Sequence, residues 1–198
     1  MYEKLNFYLK GGREYIRGTD IFNKILSLYS EDTLLNFKLI FHNISQNSII
    51  LVDIIPEDKN SINFICEFDK VDKDCIKTKI TLYGIEDKTL KPKRIPYDFE
   101  SEIIKFAEFD SRDRSIMLLK PSQFSFIEEL IALYKELLTK LFNQKGWLFT
   151  RLELKEIPPN DYPIKLKLKT NFNLSLVKSE ILVRDKSFGF IYFSLKAH

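Results

Sequence analysis

Residues 21–29 read IFNKILSLY, and residues 126–134 read FIEELIALY. Position by position, both run apolar, apolar, polar, polar, apolar, apolar, small, Leu, Tyr. The apolar positions trace the i, i+3, i+4, i+7 stripe of a helix that buries one face. The spacing predicts helices over 21–29 and 126–142, and the match predicts an internal repeat.

The flanks extend the match. A short apolar segment at 5–9, closed by Lys10, precedes the first helix; 116–119, closed by Lys120, precedes the second. Four strand-like runs follow each helix, at 37–44, 49–54, 62–68 and 75–83, and at 147–154, 164–172, 176–183 and 188–195. Ile164, Leu166 and Leu168 are separated by lysines, the alternation of a sheet with one wet face. Proline, asparagine and aspartate at 56–60 and 158–161 mark turns. Each half thus reads strand, loop, helix, four strands. The expectation is an α+β chain of two tandem repeats, 1–85 and 115–198, in one compact unit. The connecting segment 86–114 holds Pro92 and Pro96 and is expected to add a short strand or helix near 103–109.

Composition narrows the classes. The chain has 198 residues, 44% hydrophobic and 30% charged, which supports a packed core rather than disorder. Lysine plus arginine number 31 and acids 28, a net charge of +3. The pI near 8.6 argues against a dedicated nucleic-acid binder, whose domain pI usually exceeds about 9. The opening MYEKLNFYLK has neither a basic n-region nor a long apolar run, and no stretch has about 18 consecutive apolar residues, so a cytoplasmic chain without a membrane span is expected. Two cysteines, Cys66 and Cys75, are too few for a disulfide framework or a cysteine-rich zinc module and read as buried free thiols. No metal and no cofactor is expected: GGREYIRG at 11–18 lacks the GxxxxGK[ST] of a phosphate loop, and no βαβ alternation follows it.

A helix followed by four antiparallel strands needs a sheet that curls round it. This element order resembles the hotdog fold, and two tandem copies resemble a double hotdog, the intramolecular version of a hotdog dimer. The resemblance covers most of the chain. It implies acyl-thioester chemistry, since known members are mostly hydroxyacyl dehydratases, hydratases and thioesterases acting on carrier-protein or coenzyme A substrates. It also implies an acyl tunnel between the halves and catalytic groups near a helix N-terminus. The sequence departs from the family in its motifs. The HGHFPG-like string of one dehydratase class and the DxxGHVNN-like string of one thioesterase class are absent. The only histidines are His42 and His198. His42, in LIFHNIS, is expected on the first strand after the helix, pointing outward with Ile40.

The segment richest in chemistry is KGGREYIRGTD, 10–20, which holds three of the six glycines. Gly11-Gly12 reads as a turn or bulge, and Thr19 or Asp20 as the N-cap of the first helix. If the segment is extended, Arg13, Tyr15 and Arg17 share a face, and paired guanidiniums can hold phosphate or carboxylate bidentately. The phosphates of an acyl carrier would suit them. Glu14 or Asp20 could act as a general base if burial raised its pKa, and His42 completes the catalytic candidates. The equivalent segment of the second half, 120–125, is shorter and has no arginine. Elsewhere, DKVDKD at 69–74 reads as a solvated hairpin turn. Lys165, Lys167 and Lys169 alternate on one strand, either as a positive stripe or as a wet sheet face that resists edge pairing.

Three functions are compatible with this reading. The first is binding or processing of acyl thioesters, with an acyl carrier protein or a coenzyme A thioester as partner and Arg13, Tyr15 and Arg17 on its phosphates. The second is a non-catalytic interaction or scaffold protein of the same fold, favoured by the poverty in histidine. The third is an RNA-binding α+β protein using the lysine-rich strands, against which the modest charge argues.

Overall fold

The computed structural model describes residues 2–89 and 91–195; His198 lies outside them. The chain divides into two compact units, Met1–Asp98 and Phe99–His198.

In the first unit, β1 (Tyr2–Leu5) and the two-residue β2 (Leu9–Lys10) lead to α1 (Gly18–Leu28). Strands β3 (Thr33–Phe41), β4 (Ser48–Val52), β5 (Ile62–Val71) and β6 (Lys77–Asp87) follow, then β7 (Arg94–Ile95). The antiparallel order is β1-β4-β6-β5-β3, while β2 and β7 form a separate parallel pair. Ile21, Phe22 and Ile25 of α1 are buried, as their helical spacing requires. Phe22 meets Phe37 edge-on at 5.3 Å, and Tyr29 meets Phe68 edge-on at 4.9 Å, so the helix is seated on the sheet by aromatic contacts. Asn36, at φ 52°, makes a bulge that shifts the register of β3 between Leu35 and Lys38. The extra residue lets Leu34 and Phe37, three apart, both face the core.

The second unit opens with α2 (Glu100–Ile104), β8 (Ala107–Asp110) and β9 (Ser115–Leu118). Helix α3 (Phe126–Phe142) is followed by β10 (Trp147–Glu156), β11 (Ile164–Phe172), β12 (Leu176–Val183) and β13 (Lys186–Leu195). The antiparallel order is β8-β9-β11-β12-β13-β10. Every residue from Ile127 to Tyr134 is buried, with α2 as well as the strands β9 and β11 packed against the helix. Ser125 starts α3 by donating from both N and Oγ to Glu128, at 3.1 and 2.8 Å, and Asn143 in the left-handed region ends it. Tyr134 meets Phe193 edge-on at 4.7 Å and 75°, nearly the Tyr29–Phe68 geometry of the first unit.

The two units share a strand layout but differ in one connection. In the first unit β1 lies next to β4, and in the second β9 lies next to β11, each the second strand after the helix. The remaining pair is exchanged: β5 lies beside β3, whereas β13, the last strand, lies beside β10. Turn chemistry accounts for this. β11 and β12 are joined by Asn173-Leu174-Ser175 alone, with Asn173 and Leu174 at φ 49° and 63°, a short hairpin turn that makes the second and third strands neighbours. The nine residues 53–61 between β4 and β5 are long enough to carry the chain past a strand position.

Helix α3 and strands β11 and β12 fall on their predicted residues, and α2 with β8 fills the short-element prediction in the connection. One expectation needs revision, and one open alternative is decided. Cys66 is buried but Cys75 is exposed, because it sits in the β5–β6 turn at φ 60°, where Asp72 accepts from the N–H groups of Asp74 and Ile76. The lysines of β11 are not a stripe of unpaired charge. Lys165 (2.6 Å) and Lys167 both bind Asp113, and Lys169 binds Glu180 at 2.7 Å. These two lysines hold the Asp113 carboxyl far below the usual carboxylate range.

Candidate functional site

The segment between β2 and α1 is held by the far end of its own unit. Pairing of β2 with β7 places Lys10 opposite Ile95, and Gly11 N donates to Ile95 O at 3.0 Å. Gly11 turns the chain at φ 64°, and a Cβ there would lie 2.7 Å from Tyr97 O, so two requirements select glycine. The Arg94 guanidinium donates to Gly11 O at 2.6 Å and to Arg13 O at 3.0 Å, and contacts the Glu14 carboxylate at 3.4 Å.

This clamp separates the two arginines. The Arg17 side chain is buried, with 9% of its surface exposed. Its Nη2 donates to Lys10 O at 3.2 Å, and its guanidinium lies 5.3 Å from the centre of the Tyr97 ring. Arg13 is half-buried, hydrogen-bonded to the Tyr15 hydroxyl and 5.5 Å from that ring's centre. The chain bends after Arg13 instead of running extended, so the expected common face of Arg13, Tyr15 and Arg17 does not form.

The catalytic candidates are also dispersed. Helix α1 starts at Gly18, with Arg17 at the N-cap position. Asp20 is therefore a first-turn residue and not the cap; it accepts from Lys10 Nζ at 2.6 Å. An acid in the first turn also suits the positive end of the helix dipole. The Glu14 side chain is 84% exposed. His42 is exposed just beyond the end of β3, and its backbone N–H donates to Asn63 O at 2.8 Å.

Lys10 and Asp20 belong to a cleft of about 340 Å³. One wall is the polar stripe of α1, namely Asp20, Asn23, Lys24 and Ser27, spaced i, i+3, i+4, i+7. The other is Asn6, Phe7 and Tyr8, which cross from β1 to β2. The stripe is readable in the sequence, but the chain that walls it is not, because that placement depends on the β2–β7 pairing.

In the second unit the start of α3 carries a buried acid. Glu129 is fully buried and accepts from Ser122 N (2.8 Å), Ser122 Oγ (2.7 Å) and the Tyr162 hydroxyl (2.7 Å). Burial and this carboxylate push the Tyr162 phenol well above its ordinary pKa. Three donors on a carboxylate without exposed surface describe a strut that ties two loops to the helix. The sequence marks Glu129 only as a polar helix position. Among the described residues no group of three His, Cys, Asp or Glu side chains could hold a metal ion, and no helix is long and apolar enough to cross a membrane.

No protein-family model and no curated protein sequence matches the chain. Among solved structures it is similar to a candidate thioesterase II from Thermobifida fusca YX, with 6% identity over 98% of this chain and 96% of that one, and a TM-score of 0.50. A candidate thioesterase from Novosphingobium aromaticivorans DSM 12444 (8% identity, 99% and 95% covered, TM-score 0.49) is also similar. So is the dehydratase domain of RzxB from Pseudomonas fluorescens (8%, 98% and 94%, 0.46). With α1 and α3 each packed on antiparallel strands, the Thermobifida fusca likeness identifies the fold: an α+β chain of hotdog type.

Proposed function

We propose that the protein binds acyl thioesters carried on coenzyme A or an acyl carrier protein, in the cytoplasm, as a tandem double hotdog. The observation that carries the reading is the fold, shared over nearly the full length of both chains with a candidate thioesterase II. It is an analogy of architecture, and fold alone does not dictate chemistry. Tyr29 and Tyr134 hold the same place in the matching helix segments, which supports the tandem reading, while their ring partners Phe68 and Phe193 lie on the third and fourth strands after the helix. The acyl tunnel implied by the resemblance is part of this proposal.

Asp20 is engaged by Lys10, Glu14 is 84% exposed and pairs with Arg94, and His42 is exposed. This favours, as second reading, a binding module that holds an acyl carrier without turning it over. In both readings Arg13 with Tyr15 is the candidate phosphate contact of the 10–20 segment, and Arg17 holds that segment in shape.

Calorimetry with coenzyme A and its acyl forms tests the proposal. Each buried methylene contributes about 0.8 kcal/mol, so burying even two should tighten binding more than tenfold over free coenzyme A. An affinity independent of the acyl chain would overturn the reading.

A further inference from the structure

The geometry points to the cleft on α1 as a seat for an adenosine phosphate, the chemistry of the nucleotide end of coenzyme A. The inference deepens the acyl-thioester reading and rests on it for the identity of the carrier. The cleft has two cations, Lys10 and Lys24, and one acid, Asp20. Lys10 is committed, since its ammonium binds Asp20 at 2.6 Å and lies 4.2 Å from the centre of the Tyr97 ring. Among the described residues the Lys24 ammonium makes no ion pair, so the cleft has one positive charge in excess, on a residue that helix packing leaves half-buried. Ser27 Oγ donates to Lys24 O at 2.7 Å, one turn further along the same wall.

The opposite wall suits a base. Tyr8 is 53% exposed although its neighbour Phe7 is buried, so its ring stands at the cleft and not in the core. An exposed aromatic face stacks on a nucleobase, worth about 1–3 kcal/mol per base in single-strand binders. The Asn6 side chain, also exposed at the cleft, presents an amide that can donate to N7 and accept from N6 of adenine. A cation, an aromatic face and an amide thus converge on a space at the small end of ligand pockets, about 300–1,000 Å³. The Lys10–Asp20 pair joins the two walls.

The test is a titration of the whole chain with adenosine 3′,5′-bisphosphate, followed by calorimetry, and in parallel with an acyl-pantetheine that has no nucleotide. Lys24→Ala should weaken the bisphosphate about tenfold or more, the loss expected for one charged hydrogen bond. Tyr8→Ala should weaken it several-fold. Lys73→Ala removes the same charge from a distant turn, where Lys73 pairs with Glu31, and should change nothing. All three positions are exposed or half-buried, so the variants should fold like the parent. Failure of the bisphosphate to bind at millimolar concentration, or equal losses for Lys24→Ala and Lys73→Ala, overturns the site. Acyl-pantetheine binding separates the two claims. If it binds and the bisphosphate does not, the site falls and the acyl reading stands. If only the bisphosphate binds, with Lys24 and Tyr8 required, the site stands and the acyl reading falls.

Discussion

Arg17→Ala is the substitution that most sharply separates a structural arginine from a ligand-binding one. Arg17 has 9% of its surface exposed, one hydrogen bond to Lys10 O and a ring contact with Tyr97. A hydrogen bond from a charged group contributes about 1.5–3 kcal/mol. A cation–π contact adds about 1 kcal/mol. The expected loss is therefore about 2.5–4 kcal/mol. For a chain of this size each kcal/mol lowers Tm by roughly 2–4 °C, so a fall of roughly 5–16 °C is expected. Arg13→Ala, at the surface, should move Tm by no more than a degree or two. The assay is thermal unfolding by circular dichroism, with coenzyme A binding measured on the same preparations. An unchanged Tm for Arg17→Ala together with lost coenzyme A binding would refute the reasoning, because the buried guanidinium would then be reaching ligand instead of holding the 10–20 segment.

Three further outcomes are expected. Leu133 is fully buried in α3, so Leu133→Ala should cost about 2–5 kcal/mol in urea unfolding; a loss below about 0.5 kcal/mol would contradict its burial. Asp87 accepts from Lys4 at 2.6 Å and from Thr89, which lowers its pKa to about 2. Unfolded, the carboxyl titrates near about 3.9, so its contribution is complete above about pH 4 and is lost as pH falls toward 2. Asp87→Asn should therefore flatten the dependence of Tm on pH in that window, and an unchanged slope would remove Asp87 from the acid transition. A thiol reagent should label Cys75 at once and Cys66 only on unfolding, since burial also pushes the Cys66 thiol up and leaves little thiolate; two fast thiols would contradict the packing.

Local pattern carried the regular elements and failed wherever a distant contact decides. Helix α3 was legible to the residue because its stripe, the Ser125–Glu128 capping pair and the stop at Asn143 are all local signals. Helix α1 was placed about a turn late, since Thr19 and Asp20 look like caps. Asp20 is drawn instead to Lys10, whose position is fixed by a strand some 85 residues later. The burial of Arg17 follows from Tyr97, a residue without local features to mark it. Arg13, Tyr15 and Arg17 were legible as a chemical cluster but not as a shape, because the Arg94 clamp that bends them apart comes from outside the segment. The cleft shows the same division: its helical wall is periodic in sequence, and its other wall is not. Strand order escaped for a related reason, since apolar alternation marks a strand without naming its neighbour.

The exchanged strand pair bears on how fast each unit assembles. In the second unit, β8–β9, β11–β12 and β12–β13 are all joined by short hairpins, and β9–β11 and β10–β13 are its long-range pairings. The first unit has a single hairpin, β5–β6; β3–β5, β4–β6 and β1–β4 must each close a loop of dozens of residues. Loop closure is entropically costly, and folding slows as the mean separation of contacting residues grows. The second unit should therefore acquire hydrogen-exchange protection first, leaving the 10–20 segment and the α1 cleft among the last parts of the chain to take shape. On a ribosome the order of emergence runs the other way, so the slower unit leaves the exit tunnel with a head start over the faster one.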